Sequence, residues 1–249
     1  MKRIIIMPVL IFIFISQSFA NNFVNYLQGD QLNVFAISGL KLRTADHMKS
    51  EVLTIIPYGE TVTVLNHFDL NTAKTQRIDW VEGRWIFVSY GVLEGYVFDG
   101  YLSRLPIPND ASQFCDNCYE LVNPLNNYLD AHFRVQTILG SSPKAETNFT
   151  YEYLLEQSLI VKRRSGESWW GIELEMLNYR MPEALNLLRS LIVSDEDRDA
   201  FEESLLFKED KQSNVKEIQI RMYDQPMVIR MNERGNVVIK AIIVEESGC

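Results

Sequence analysis

The sequence predicts a small all-β barrel followed by an α+β domain, and two observations carry that expectation. Between Asn33 and Leu105 the chain alternates apolar and polar residues in short bursts, cut by turn signals at Gly39, "PYG" (57 to 59), Gly83, Gly91 and Gly95. Many short strands in so brief a stretch point to a small barrel or sandwich. Beyond Pro106 the pattern changes to helix-spaced segments mixed with longer alternating ones, the element mix of an α+β domain. The length of 249 residues agrees, because a usual single domain holds about 100–200.

Composition places the chain among ordinary globular proteins, with 47% hydrophobic and 23% charged residues. The opening twenty residues, "MKRIIIMPVLIFIFISQSFA", stand apart. Lys2 and Arg3 precede an apolar run, and Ser18 and Ala20 are the small residues accepted before a signal-peptidase cut, so cleavage is expected after Ala20. The run is shorter than the roughly 20 apolar residues a bilayer span needs, and no cysteine follows it for lipid attachment. The expected location is exported, in the periplasm or outside the cell, without stable membrane insertion after cleavage. A formal net charge of −9, more negative once Lys2 and Arg3 leave, repels phosphate backbones, and no nucleic-acid partner is expected.

In the first half "NVFAI", "GLKLR", "EVLTII", "ETVTVLN", "RWIFVSY" and "EGYVFD" each read as a strand. The run "VFAISGLKLRT", then "SEVLTIIPYGETVTVL", then "WVEGRWIFVSYGVLEGYVFDGYLSRLP" resembles a bacterial SH3 domain. The features in common are a Gly-Leu-x-hydrophobic-Arg strand, a Pro-x-Gly turn before a Val-rich strand, and a Gly-aromatic-Val strand closed by Tyr-Leu. Two departures stand out: the longer "NHFDLNTAKTQRIDWVEGR" stretch beside the groove, and Tyr96 where Trp is commoner. The resemblance covers residues 33 to 105 and implies a peptide groove at the aromatic end of the barrel. Trp85, Tyr90, Tyr96, Phe98 and Tyr101 gather there, with about half expected to be core. Arg43 ends the opening strand and could meet a ligand carboxylate or stay solvated.

After "PIPND" the elements are read in order. "NPLNNYLDAHF" is a helix with Asn123 as cap and Pro124 at its first position. "SLIVKRR" and "SWWGIELEML" alternate as strands, with Trp170, Ile172, Leu174 and Met176 on one face and Trp169 on the other. Which of Trp169 and Trp170 is buried stays open. "PEALNLLRSLI" is a helix with a Leu185, Leu188, Ile192 stripe, and "SDEDRDAFEESLLF" a second one opened by Ser194 and Asp197. "VKEIQIRMY", "MVIRMN" and "NVVIKAIIVEE" form an antiparallel meander.

Chemical motifs are sparse. Cys115 and Cys118 in "CDNC" could form a structural clip, a redox pair, or bonds with Cys249. Three cysteines with scattered His47, His67 and His132 do not make a zinc site, and no metal or other cofactor is expected. Asp195, Asp197 and Asp199 have the spacing of a calcium loop, but Ala200 and Leu206 stand where it needs Gly and Glu, so they read as an acidic first helical turn. No Gly-x-Ser-x-Gly or His-Glu-x-x-His occurs, and the cysteine-peptidase partner often joined to bacterial SH3 domains is missing, as no His follows His132. Paired carboxylates for glycoside cleavage are too numerous to screen by sequence.

The expected division is a signal peptide at 1–20, the SH3-like barrel at 21–105, a linker at 106–112 and the α+β domain at 113–249. The leading functional expectation is a non-catalytic binding protein recognising a cell-wall peptide or envelope protein, such as a peptidoglycan stem peptide, through Arg43, Trp85, Tyr90, Tyr96 and Tyr101. The alternatives are a cell-wall hydrolase of unrecognised type that the SH3-like domain targets, and a thiol-redox protein using Cys115 and Cys118.

Overall fold

The β-branched and aromatic bursts of the first half fold as antiparallel strands. They are β1 (Gln31–Val34), β2 (Leu40–Arg43), β3 (Val52–Ile56), β4 (Thr61–Val64), β5 (Gln76–Ile78), β6 (Val81–Gly83), β7 (Trp85–Tyr90), β8 (Leu93–Phe98) and β9 (Leu102–Ser103). The computed structural model describes residues 26–65, 75–108, 122–141, 149–166, 169–192, 194–222 and 225–244. Seven strands join in the order β3-β2-β8-β7-β4-β1-β9, and β5 with β6 makes a separate hairpin.

This sheet is open, which corrects the expected barrel: β3 and β9 stand at opposite ends of the strand order. Alternation reveals which residues are strand, but not whether the first and last strands meet. Closure is also not needed for burial here. One face of the sheet holds its own core of Leu32, Val34, Leu42, Ile56, Val62, Val88 and Val97. From the other face Trp85 and Phe98 enter a core shared with the second half.

The second half comprises α1 (Val122–His132), β10 (Val135–Ser141), β11 (Phe149–Leu155), β12 (Leu159–Ser165), β13 (Trp169–Met176), α2 (Met181–Ser190), α3 (Asp195–Ser204), β14 (Leu205–Glu209), β15 (Val215–Met222), β16 (Gln225–Met231) and β17 (Val237–Val244). Its eight strands form one antiparallel sheet, ordered β10-β11-β12-β13-β17-β16-β15-β14. The expected α+β class is corrected with the barrel: the chain is mostly β, 50% strand and 20% helix, with two large open sheets. Alternation does not disclose the full strand content, because β10 and β11 lack it and because "LLFKE" at the end of α3 turns into β14 instead of extending the helix.

Packing explains the helices. Ala184, Leu185, Leu187 and Leu188 bury one side of α2 beside Ile172, Leu174, Ile229 and Ile239 of the sheet. Burial of each of these leucine and isoleucine side chains is worth about 1.5–3 kcal/mol. Ser194 caps α3, its Oγ accepting the Asp197 N–H at 3.0 Å. Of the tryptophan pair, Trp169 is exposed and Trp170 packs against the shared core.

Candidate functional site

The face of β7 and β8 that looks toward the second half carries a graded ladder of side-chain pairs. Trp85 lies opposite Phe98, Phe87 opposite Tyr96, and Ser89 opposite Glu94. The first pair is buried with rings 5.9 Å apart, the second is half-buried at 5.0 Å, and Glu94 is exposed. Directly opposed residues on an antiparallel pair share a face, so an apolar stack emerges step by step into solvent. β2 completes the row by setting Arg43 opposite Tyr96. A Cβ at Gly95 would stand 2.6 Å from the Arg43 carbonyl oxygen, so this approach of the two strands requires glycine.

Arg43 is buried, and its Nη1 donates to the Ser50 carbonyl at 2.6 Å while its guanidinium lies 6.0 Å from the Trp85 ring. It is held as a wall behind the aromatic pair. Trp85 is buried too, its Nε1 donating to Gln76 Oε1 at 3.1 Å. Tyr90 points to the opposite face and packs on the inner core. Tyr101 stands at the seam between the halves, 6.1 Å from the Phe98 ring. Its phenol is pushed up by burial, with Arg189 opposing and Asp79 and Glu202 adding to the rise. Arg43, Trp85 and Tyr96 therefore share one face, while Tyr90 and Tyr101 lie elsewhere. Phe87 and Glu94, which belong to the same face, were not singled out by sequence; their place in the alternation of "RWIFVSY" and "LEGYVF" marks them.

A buried polar seam joins the halves next to this ladder. Arg180, just before α2, donates from Nη1 to Asp99 Oδ2 at 2.8 Å and from Nη2 to the Asp99 carbonyl at 2.7 Å and the Tyr26 hydroxyl at 2.8 Å. Tyr26 donates onward to the Leu102 carbonyl, and Asp99 Oδ1 accepts the Arg84 N–H, both at 2.7 Å. Glu183 accepts from Ser103 Oγ at 3.0 Å and from the Arg180 N–H at 2.8 Å, and Asn186 donates to the Gly100 carbonyl at 2.7 Å. Burial raises the Glu183 carboxyl despite the lowering pull of Arg180. It also raises the Tyr26 phenol well above its ordinary value. For Arg180 itself burial works downward, yet the Asp99 carboxylate and its hydrogen bond to the guanidinium prevail and hold it protonated.

A second bridge comes from the hairpin of β5 and β6, inside the long stretch that departs from the bacterial SH3 pattern. Ile78 pairs with Val81, leaving Asp79 and Trp80 as a two-residue loop with φ of 48° and 65°. Both lie in the left-handed region, the arrangement of a type I′ hairpin turn, and a bulky residue there is strained. Trp80 is 60% exposed and stacks on Phe207 of β14 with ring centres 5.4 Å apart. Arg77 donates to Glu82 at 2.9 Å, to Glu209, and to the Ser213 carbonyl at 2.8 Å, tying the hairpin to the turn between β14 and β15. Residue type alone does not single out Trp80; "RIDWVEG", short alternation around an Asp-initiated turn, is the signal that marks it.

The leader at 1–20, His67, Cys115, Cys118 and Cys249 lie outside the described residues. Among the described residues no three His, Cys, Asp or Glu side chains are grouped to hold a metal ion, and no helix is long and apolar enough to cross a membrane. The chain matches no protein-family model, no curated protein and no solved structure.

Proposed function

We propose that this chain is a non-catalytic binding protein of the cell envelope, exported by its first twenty residues, and that the Phe87–Tyr96 pair takes a peptide ligand such as a peptidoglycan stem peptide. The observation that carries the reading is the graded ladder: two aromatic rings surface from a rigid buried stack, with the Glu94 carboxylate beside them. Rings fixed in this way offer flat apolar contact at small entropic cost, and the Tyr96 hydroxyl and Glu94 supply polar contacts to a peptide amide or ammonium group. The motif resemblance at 33 to 105 supports the same reading. Tyr26, Arg180 and Glu183, deeply buried and strongly perturbed, hydrogen-bond one another and the seam backbone, which supports a structural use of those groups over acid–base chemistry.

Co-sedimentation with purified peptidoglycan sacculi tests the proposal. The wild-type protein should pellet with sacculi, and Tyr96→Ala should weaken that binding about tenfold, the loss typical of an aromatic anchor. If the wild-type protein stays in the supernatant with sacculi and also retains nothing from envelope extract, the proposal falls.

A further inference from the structure

The Phe87–Tyr96 pair borders a row of polar side chains that crosses four neighbouring strands. Glu94 of β8 lies opposite Ser89 of β7, Ser89 opposite Thr63 of β4, and Thr63 opposite Gln31 of β1. These strands are consecutive in the sheet and directly opposed residues share a face, so the row lies on the side that carries the two rings. Glu94 and Gln31 are exposed, and Ser89 and Thr63 are half-buried. Among the described residues no side-chain hydrogen bond or ion pair engages any of the four. The row two residues further along β4 and β1 differs. There Thr61 Oγ1 donates to Asn33 Oδ1 at 3.0 Å, and Asn33 Nδ2 donates to the Leu105 carbonyl at 2.8 Å. Polar groups are tied up in that row and open in this one.

We infer that this row is the track of the bound peptide and that Glu94 selects a ligand with a free side-chain ammonium, an assignment that rests on the peptide-binding reading of the Phe87–Tyr96 pair. Length supports the track. From β8 to β1 is three strand spacings of about 4.8 Å, or about 14 Å, which an extended peptide covers in about four residues. That is the size of a stem peptide. Its main-chain N–H and C=O groups meet the Ser89 and Thr63 hydroxyls and the Gln31 amide, each of which both donates and accepts. Charge supplies the selectivity. Glu94 is the one formal charge among Gln31, Thr63, Phe87, Ser89, Glu94 and Tyr96, and the Arg43 guanidinium is engaged by the Ser50 carbonyl. A stem peptide joined to its sugar carries several carboxylates and a single ammonium, on its diamino acid. The carboxylates are repelled by Glu94 and by a chain of net charge −9, so the ammonium settles at Glu94 beside the Tyr96 ring. A cross-link acylates that ammonium, which removes the charge and adds bulk. The site thereby distinguishes uncrosslinked from crosslinked stems.

Calorimetric titration of the purified full chain with two synthetic stem peptides tests this. Both are capped at the N-terminus, and they differ only in acetylation of the diamino-acid ammonium. The wild-type protein should bind the free-ammonium peptide about tenfold more tightly than the acetylated one, the worth of one charge-assisted contact. Glu94→Gln should bind both with the weaker affinity. Thr63→Val, with the melting temperature of the wild type, should weaken both about threefold, as loss of one neutral hydrogen bond does. Equal wild-type affinity for the two peptides, or discrimination that survives in Glu94→Gln, overturns the inference and leaves the Phe87–Tyr96 reading standing. An unchanged affinity in Thr63→Val overturns the track across the strands. If the wild-type protein binds neither peptide, the peptide-binding reading itself falls and the inference falls with it.

Discussion

Replacing Arg180 with Met removes the guanidinium at the centre of the seam while keeping an unbranched apolar stem. Its side chain is 12% exposed and that of Asp99 6%, so the substitution leaves a buried carboxylate without its cation. Breaking a buried pair from one side costs about 3–5 kcal/mol. The Arg84 N–H that still reaches Asp99 Oδ1 holds the expected loss near the lower end of that range. The Tyr26 ring, with the guanidinium 4.4 Å from its centre, loses a cation–π contact worth about 1–2 kcal/mol, which partly overlaps the first loss. Together the expected destabilisation is about 3–5 kcal/mol, read as a fall in melting temperature on the order of 10 °C for a chain of this size. Urea unfolding of Arg180→Met, Asp99→Asn and the double variant provides the assay. The two losses should fall short of additivity by about 2 kcal/mol, because the second substitution removes the stranded partner of the first. A single-variant loss below about 1 kcal/mol, or strict additivity, would refute the claim that this pair locks the halves together.

The other expectations concern the same seam and bridge. Burial raises the Glu183 carboxyl, so the unfolded chain gives up that proton at lower pH than the folded one, and ionising Glu183 penalises the fold. Its contribution is fully present below about 4.5 and is lost as pH rises through the folded value; Glu183→Gln should therefore flatten the melting-temperature profile across that window. Asp210 behaves oppositely: hydrogen bonds from Asn214, helped by Gln212 and Lys216, hold its carboxyl down at about 2. Its contribution stands above about 3.8 and disappears as pH falls through about 2, so carboxyl NMR should find it ionised at pH 3 and Asn214→Ala should raise its titration point. Arg77→Ala should loosen the hairpin of β5 and β6 by about 1 kcal/mol or less, because the Arg77 side chain is 26% exposed. Faster amide exchange at Ile78 and Val81, with global stability little changed, checks it.

How far the sequence carries this fold depends on which level of structure is asked for. The strands around Leu40–Arg43, Thr61–Val64 and Trp85–Phe98 were legible because one face of each is buried, and alternation records that. α2 and α3 were legible for the matching reason at helical spacing, with Pro182 and the Ser194 cap fixing their starts. Topology was not legible. Whether β3 returns to meet β9 depends on what covers the far face of β7 and β8, and that cover comes from residues about a hundred positions away. The candidate site was half legible for a related reason. Tyr96 and Trp85 were picked out by type, yet burial of Arg43 and Trp85 and the turning of Tyr90 to the inner face follow from strand pairing. The seam was invisible, since Arg180, Glu183 and Asn186 read along the chain as ordinary polar residues around a helix start. Only the arrival of Asp99–Ser103 beside them gives those groups partners.

The binding face can be tested most directly by two-dimensional NMR of the labelled protein titrated with soluble peptidoglycan stem peptide. Saturable shifts confined to Phe87, Ser89, Glu94 and Tyr96 and their immediate neighbours are the expected result, and Tyr96→Ala should abolish them. No shifts at millimolar peptide, or shifts centred on α3 and β14 with the Phe87–Tyr96 pair unmoved, would contradict it.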